Sequence, residues 1–129
     1  ATPGVNIGLF CSTPMVALSR NVNKKAAMHM LLTGDLINSE KAKDIGLINE
    51  AFQKPQLTDE VNKLAKKIAS KSSMTIKIGK KAFYNQAEMS LSKAYEYTSE
   101  VMRNNLLRDD AKEGINAFID KRSPDWQDD

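Results

Sequence analysis

The sequence predicts a mainly α-helical chain with one or two short strands. After residue 55, apolar residues recur at every third or fourth position, which is the spacing of one face of a helix. Residues that cap helices, and glycines that end them, lie at the boundaries of these segments. Apolar patterns typical of strands are confined to two short stretches, one near residue 7 and one near residue 50.

The two expected strands both lie in the first part of the chain. Val5, Ile7 and Leu9 alternate with other residues as in a strand, within an extended, loop-rich segment over residues 1–22. The apolar residues within 47–52 form the second candidate. Both are short, so helices dominate the prediction.

Two short helices are expected between these strands. Asn23 is a suitable cap for the first, and Gly34 is suited to the left-handed conformation that ends a helix. Asn38 or Ser39 caps the second, and Gly46 closes it. Both helices are therefore bounded by side-chain chemistry that is visible in the sequence.

The remainder of the chain is predicted to be entirely helical. Each helix has one apolar stripe, and the last begins with Asp110 and Glu113 in a capping-box-like spacing. Ser123-Pro124 ends that helix and leaves Trp126 and an acidic tail. The four predicted helices cover residues 57–70, residues 72 or 73 to 88, a segment opening at Ser90, and a segment beginning near Asp110.

Composition and charge limit the classes of protein that the chain can belong to. With 129 residues, 41% hydrophobic and 27% charged, it can bury one modest core. No apolar run approaches the roughly 20 residues that a membrane-spanning helix needs. The first four residues resemble neither a signal peptide nor a transit peptide. Cys11 is the single cysteine, so an intrachain disulfide is excluded.

Positive charge is concentrated in one segment, although the net charge is only +3. Such a segment forms either a solvated helix face or a site for phosphates of a cofactor, a nucleic acid or an anionic membrane. A nucleic-acid interface is disfavoured, because no aromatic residue interleaves with the lysines before Phe83. Seven lysines and no acidic residue lie between Val61 and Ala87: Lys63, Lys66, Lys67, Lys71, Lys77, Lys80 and Lys81.

Several motifs together resemble a known family. Residues 31–48, which read LLTGDLINSEKAKDIGLI, and the pairs Glu113-Gly114, Ala117-Phe118 and Lys121-Arg122 resemble the C-terminal part of the crotonase (enoyl-CoA hydratase/isomerase) superfamily. Residues 1–14, which read ATPGVNIGLFCSTP, resemble one branch, the mitochondrial enoyl-CoA hydratase domain-containing proteins. We therefore expect a chain that begins in the middle of that family's fold.

The resemblance implies a fold, an organisation and a location. The family is α+β, with the ClpP/crotonase fold. Residues 1–54 would be the C-terminal end of its spiral core, and residues 55–129 a helical region for trimerisation and coenzyme A contact. A homo-oligomer is implied, a trimer or a hexamer in the intact family. The location implied is mitochondrial, otherwise cytoplasmic, and not secreted.

The resemblance also places the acyl pocket and shows a missing acid. Members of the family use two catalytic glutamates, and the resemblance implies that one of them, with one oxyanion N–H donor, lies upstream of this sequence. The second follows a proline in a pattern like Pro-Glu-x-x-x-Gly, and here that stretch begins Pro3-Gly4 and ends at Gly8. Gly4 occupies the glutamate position, and glycine cannot transfer a proton. We expect Pro3, Gly4, Gly8 and Leu9 to contact the acyl group, with no catalytic residue and no metal ligand in this chain.

Two further residues are implied to contact coenzyme A. Phe118 and Lys121 lie three apart, which would place them on one face of the last helix. Phe118 would pack on the adenine or the pantetheine, and Lys121 would offer charge to a phosphate. The alternative is that Phe118 anchors the helix and Lys121 is solvated.

Three functions remain open from the sequence. The first is an acyl-CoA or enoyl-CoA binding protein of the hydratase/isomerase family, in which the 129-residue chain alone is inactive. The second is a non-catalytic acyl-CoA-binding or subunit-interaction protein. The third is a basic helical module for nucleic acid or anionic lipid. No cofactor is expected, because the coenzyme A thioester is itself the substrate or ligand.

Overall fold

The computed structural model describes residues 1–127 and contains a 3₁₀-helix and seven α-helices in that range, with no strand among them. The chain divides into two compact units, one of residues 1–60 and one that begins at Val61. The 3₁₀-helix is Pro3–Ile7, and the α-helices are α1 Ser12–Asn21, α2 Lys24–Thr33, α3 Ser39–Asp44, α4 Leu57–Ala69, α5 Ser73–Gln86, α6 Leu91–Leu106 and α7 Asp109–Asp120.

The core of the first unit lies between α1 and α2. Helix α2 contacts α1 on one side and the 3₁₀-helix on another. Leu31 is the largest fully buried apolar side chain of the described residues, with 1% of its surface exposed. The other members of this core cluster are Leu18, Val22, Ala27 and Met30.

The predicted caps of α2 and α3 are confirmed. Asn23 accepts a hydrogen bond from the N–H of Ala26 at 2.9 Å, and Asn38 accepts one from the N–H of Lys41 at 2.8 Å. These bonds satisfy backbone donors that a helix N-terminus leaves without partners. Gly34 follows α2 in the left-handed conformation, with a φ of 66°.

The strand expected over Val5, Ile7 and Leu9 is wrong. Pro3 begins a 3₁₀-helix there, and the N–H of Leu9 donates to the carbonyl of Gly4 at 2.9 Å. Proline is favourable in a first helical turn because it has no N–H to satisfy and its φ is already fixed. The alternation is misleading, since Ile7 and Leu9 are largely exposed.

The second expected strand, over residues 47–52, is also wrong. The N–H groups of Leu47 and Ile48 both point back to the carbonyl of Ala42, at 2.9 and 3.3 Å, and so close the end of α3. Those two donors are therefore unavailable for a sheet ladder. The sequence prediction also missed α1, because residues 1–22 were expected to be extended and loop-rich. Pro14 lies in the first turn of that helix, where proline is tolerated.

The second unit packs α5, α6 and α7 in chain order. Ser72 caps α5 and accepts a hydrogen bond from the N–H of Thr75 at 3.1 Å. Of the two starts predicted for this helix, residues 72 and 73, the structure therefore has the cap at Ser72. Helix α6 contacts both α5 and α7. Small residues are buried on the helices of both units, and they are Ala27, Ala42, Ala82, Ala94 and Ala117.

Helix α4 carries an apolar stripe, and no residue of that helix is buried. Leu57, Val61, Leu64 and Ile68 follow one another at helical spacing, and each is about half exposed. The predicted amphipathic helix is therefore present, and its apolar side faces outward within this chain. Of the helices in residues 1–127, none is both long enough and apolar enough to cross a bilayer.

We predict that Leu31→Ala destabilises the fold by about 2–5 kcal/mol, because it leaves a cavity in the closed core of the first unit. The free energy of unfolding, measured in urea, checks this. Leu36→Ala is the matched control: Leu36 is 89% exposed, so its truncation should change that free energy by less than about 0.5 kcal/mol. Equal effects of the two variants would contradict the assignment of the core.

Candidate functional site

The four residues expected at the acyl pocket lie together in one turn of the first unit. Pro3 and Gly4 belong to the 3₁₀-helix, and Gly8 ends it in the left-handed conformation with a φ of 77°. Leu9 returns toward Gly4 through its N–H, which donates to the carbonyl of Gly4. None of the four carries an ionisable side chain, so the turn can contact a ligand but cannot move a proton.

Gly4 lies where a side chain does not fit. A Cβ atom added there would be 2.6 Å from the carbonyl oxygen of Leu9 and 2.8 Å from the Sγ of Cys11. The N–H of Gly4 also donates to that same Sγ at 3.3 Å. Contacts this short do not occur without movement of the neighbouring atoms, and the Leu9 oxygen belongs to the backbone. The position is therefore closed to any larger residue.

The surface beside this turn is apolar. Ile7 is 77% exposed and Leu9 is 63% exposed, whereas Val5 is partly buried. Gly34 packs against the other side of the turn, where an added Cβ would be 3.0 Å from Cγ2 of Val5 and from the amide of Asn6. Helix α2 thus supports the turn from behind, and Ile7 and Leu9 are left accessible.

The two residues expected to contact coenzyme A lie at the end of α7. Phe118 is on the last turn of the helix and is 85% exposed. Lys121 is exposed as well, but it follows the helix in the left-handed conformation, with φ 54° and ψ 37°. The expectation that both lie on one helix face is therefore wrong, because the helix ends one residue before Lys121.

A groove of about 570 Å³ borders Phe118 in the second unit. Its walls are mostly apolar and come from α5, α7 and the segment after α7. Trp126 closes one side, and its ring lies 3.2 Å from where a Cβ on Gly114 would be. The apolar lining residues are Ile76, Ala111, Ile115, Phe118 and Trp126.

The segment after α7 is held by a pair of charged residues. Glu113 receives two hydrogen bonds from the Arg122 guanidinium, at 2.6 and 2.9 Å, and a third from the N–H of Asp125 at 2.8 Å. The guanidinium and then the Asp125 N–H lower the pKa of Glu113 to about 2. The same pairing, with Asp120 adding to it, raises the pKa of Arg122.

Two further contacts fix the end of this segment. Asp110, only 2% exposed, accepts a hydrogen bond from the N–H of Gln127 at 2.7 Å. The indole N–H of Trp126 donates to the carbonyl of Ser70 at 3.0 Å. The capping box expected from Asp110 and Glu113 is therefore wrong, because both carboxylates bind the returning segment instead of the start of α7.

Sequence reasoning missed Glu113, Arg122 and Asp110 as anchors of this segment. Glu113 and Arg122 are nine residues apart, which is not a spacing that places side chains together on one helix. The available signal was Asp110, an acidic residue on the same side of the helix as Gly114 and Ala117. A buried carboxylate of this kind needs hydrogen-bond donors from another segment.

The single histidine, the single cysteine and the lysine-rich segment do not come together into one site. His29 is exposed, and Cys11 is partly buried against Gly4. All seven lysines between residues 61 and 87 are exposed on or beside α4 and α5. Among residues 1–127, no group of three or more His, Cys, Asp or Glu side chains could hold a metal ion.

The fold and these motifs define a class of protein. The chain belongs to the enoyl-CoA hydratase/isomerase family, whose model matches residues 1–129. This confirms the resemblance to the C-terminal part of the crotonase superfamily.

Individual relatives refine the comparison. The chain is 50% identical over 126 residues to the rat protein named enoyl-CoA hydratase domain-containing protein 3, mitochondrial, with 98% of this chain and 42% of the relative covered. It superposes on the crystal structure of the human protein of that name with a TM-score of 0.87 and 47% identity, over 98% of this chain and 50% of the other. The Mycobacterium smegmatis enoyl-CoA hydratase structure gives a TM-score of 0.90 at 43% identity, over 98% and 49%.

The matched relatives are longer than this chain. The chain spans less than half the length of the curated relative and about half the length of each solved structure. The similarity to these solved structures confirms the crotonase fold expected for the family. The short strands expected in this part of the fold are absent from residues 1–127.

We predict that Gly4→Ala destabilises the protein by about 1–3 kcal/mol, because the new methyl group meets the Leu9 carbonyl and the Cys11 thiol. Urea unfolding measures the effect. Gly79→Ala is the control, since a Cβ there meets nothing within 4 Å and alanine is favoured inside α5. The control should gain about 0.5–1 kcal/mol. Unchanged stability of Gly4→Ala would contradict the closed turn.

We predict that Glu113 stays ionised until the pH approaches 2, because Arg122 and the Asp125 N–H stabilise its charged form. Its pKa is lowered on folding, so the stability it contributes is complete above about pH 4.5 and is lost as the pH falls toward 2. The side-chain carboxyl carbon, followed by NMR, reports the midpoint. Arg122→Gln should move that midpoint up toward 4.5, and an unmoved midpoint would contradict the assigned cause.

Proposed function

We propose that the protein containing this chain binds a fatty acyl- or enoyl-CoA thioester and does not hydrate it by the two-glutamate route of the family. The observation that carries this proposal is the closed position at Gly4. Hydration needs carboxylates to move protons and N–H donors to stabilise the developing enolate. One of those carboxylates belongs at position 4, where the turn has no room for it.

The 129-residue chain on its own is proposed to be inactive toward enoyl-CoA substrates. It spans less than half of its curated relatives. By resemblance, the family's other glutamate and one oxyanion donor lie outside it. With no acid at Gly4 either, neither of the two proton-transfer groups is present.

Two exposed residues at the C-terminal end of α7 support coenzyme A binding. Phe118 offers an accessible aromatic ring that can pack against adenine or pantetheine. Lys121 offers an ammonium group whose charge suits a phosphate. Lys121 lies beyond the end of the helix, so we propose that the two residues contact different parts of the ligand.

Assembly and location are proposed on separate grounds. The exposed apolar stripe of α4, made of Leu57, Val61, Leu64 and Ile68, supports a homo-oligomer, a trimer or a hexamer as in the intact family. Relatives named mitochondrial support a mitochondrial location for the parent protein.

A second candidate is a non-catalytic acyl-CoA-binding or subunit-interaction protein. The closed turn at Gly4 also favours this candidate, because it removes a proton donor and keeps the apolar surface of Ile7 and Leu9. The two candidates differ only in turnover. The exposed lysines on and beside α4 and α5 support a third candidate function, which is binding of nucleic acid or anionic lipid.

We predict that the full-length protein binds crotonyl-CoA and longer enoyl-CoA esters, and that Lys121→Ala weakens binding on the order of tenfold by removing a charged contact to phosphate. Calorimetric titration measures the affinity. Lys112→Ala is the matched control, because Lys112 lies on the same helix and pairs with Asp109 instead. Equal losses in both variants, or no loss, would contradict the assignment of Lys121.

Turnover is followed with the same substrates by loss of the enoyl thioester absorbance. Neither the full-length protein nor the 129-residue chain should hydrate crotonyl-CoA. Hydration at the rate of an ordinary hydratase would overturn the proposal. Conversion of an enoyl-CoA to another product favours an enzyme, and binding without conversion favours the non-catalytic candidate. Binding to DNA or anionic vesicles that falls with salt and survives saturation with coenzyme A favours the third function.

A further inference from the structure

Lys121 occupies a backbone conformation that suits glycine. In the described range 1–127 it is the one non-glycine residue with a positive φ, at 54°. The N–H of Arg122 donates to the carbonyl of Ala117 at 3.0 Å, and the N–H of Lys121 donates to the carbonyl of Phe118 at 3.3 Å. These two bonds form a Schellman motif, whose left-handed position is usually glycine because a Cβ is unfavourable there.

Capping the helix does not by itself explain a lysine at this position. Glycine makes both backbone bonds without the strain of a Cβ. A cation interacts favourably with the C-terminus of a helix, but a lysine within the last turn of α7 would do so in an ordinary helical conformation. Strain of this kind persists where the surrounding structure holds it, and it is concentrated at functional positions.

The surrounding structure holds Lys121 through its neighbour in sequence. Arg122 is fixed by the two hydrogen bonds from its guanidinium to Glu113 and by a weaker one, at 3.4 Å, from its Nε to Asp120. Glu113 also binds the N–H of Asp125, so this one carboxylate holds the chain at two points after Lys121. The direction in which the chain leaves α7 is thereby fixed.

We propose that Glu113 is a positioning residue that acts through Lys121. By holding Arg122, it keeps Lys121 in the left-handed conformation and fixes the point from which the ammonium group reaches a phosphate of the coenzyme A ester. This inference rests on the proposed function, because it takes Lys121 to contact the ligand. It assigns to the Glu113–Arg122 pair a role that requires no direct contact with the ligand.

A double-mutant cycle in the full-length protein tests the inference, with the affinity for crotonyl-CoA measured by calorimetry. We expect Lys121→Gly to weaken binding on the order of tenfold. Glu113→Gln should weaken it several-fold in the wild-type background and should have no further effect beside Lys121→Gly. That non-additivity is expected only if Glu113 acts through Lys121.

The outcomes separate the inference from the function on which it rests. Unchanged affinity of Lys121→Gly overturns the ligand contact, and with it the inference. Weaker binding of Lys121→Gly together with a neutral Glu113→Gln overturns the inference alone. The same holds if Glu113→Gln weakens binding equally in both backgrounds, because its effect is then a general loosening of the fold.

Two controls guard against a purely structural effect. Asp109→Asn removes a carboxylate from the same helix that pairs with exposed Lys112, and the affinity of this variant should equal that of the wild type. Lys121→Gly should also raise the melting temperature, by about 2–4 °C, because glycine relieves the left-handed strain. A lower melting temperature for this variant would show that the lysine serves the cap, and would overturn the inference.

Discussion

A missing side chain at Gly4 is the constraint on which the interpretation of this protein depends. The 3₁₀-helix returns so closely on itself that the Leu9 carbonyl and the Cys11 thiol fill the space a Cβ would need. The absence of a side chain at this position is therefore required by the local backbone as well as by the identity of one residue. A turn of this shape keeps the apolar contact surface of Ile7 and Leu9 while excluding the chemistry of a carboxylate.

The helices and their caps could be predicted because their signals are local. Asn23, Asn38 and Ser72 each bond a backbone N–H three residues later, and Gly34 takes the left-handed conformation that only its residue type adopts without strain. Such information is contained in four or five consecutive residues. The family resemblance was likewise readable, because its motifs are short and contiguous.

Some of the errors concern contacts between residues far apart in the sequence, whereas those at α1 and at residues 47–52 concern local backbone bonds. Alternation at Val5, Ile7 and Leu9 is meaningful for a strand only when a partner strand is present, and residues 1–127 offer none. The end of α7 was misplaced because the chain turns at Lys121, and the Glu113–Arg122 pair that holds the following segment forms across nine residues. For the same reason the strain at Lys121 could not be foreseen: glycine was the expected marker of that conformation, and a lysine carries no such signal.

The alanines buried on the helices make the mutational behaviour of this protein unusual. Ala27, Ala42, Ala82, Ala94 and Ala117 contribute little apolar area, and each is 9% exposed or less, so a larger side chain there would meet neighbouring atoms. Alanine scanning therefore gives no information on side-chain packing at these five buried positions, because they are already alanine. A scan that adds bulk, with valine or leucine, is the one that would map this interior, and its damage should be greatest where conventional truncation has nothing left to remove.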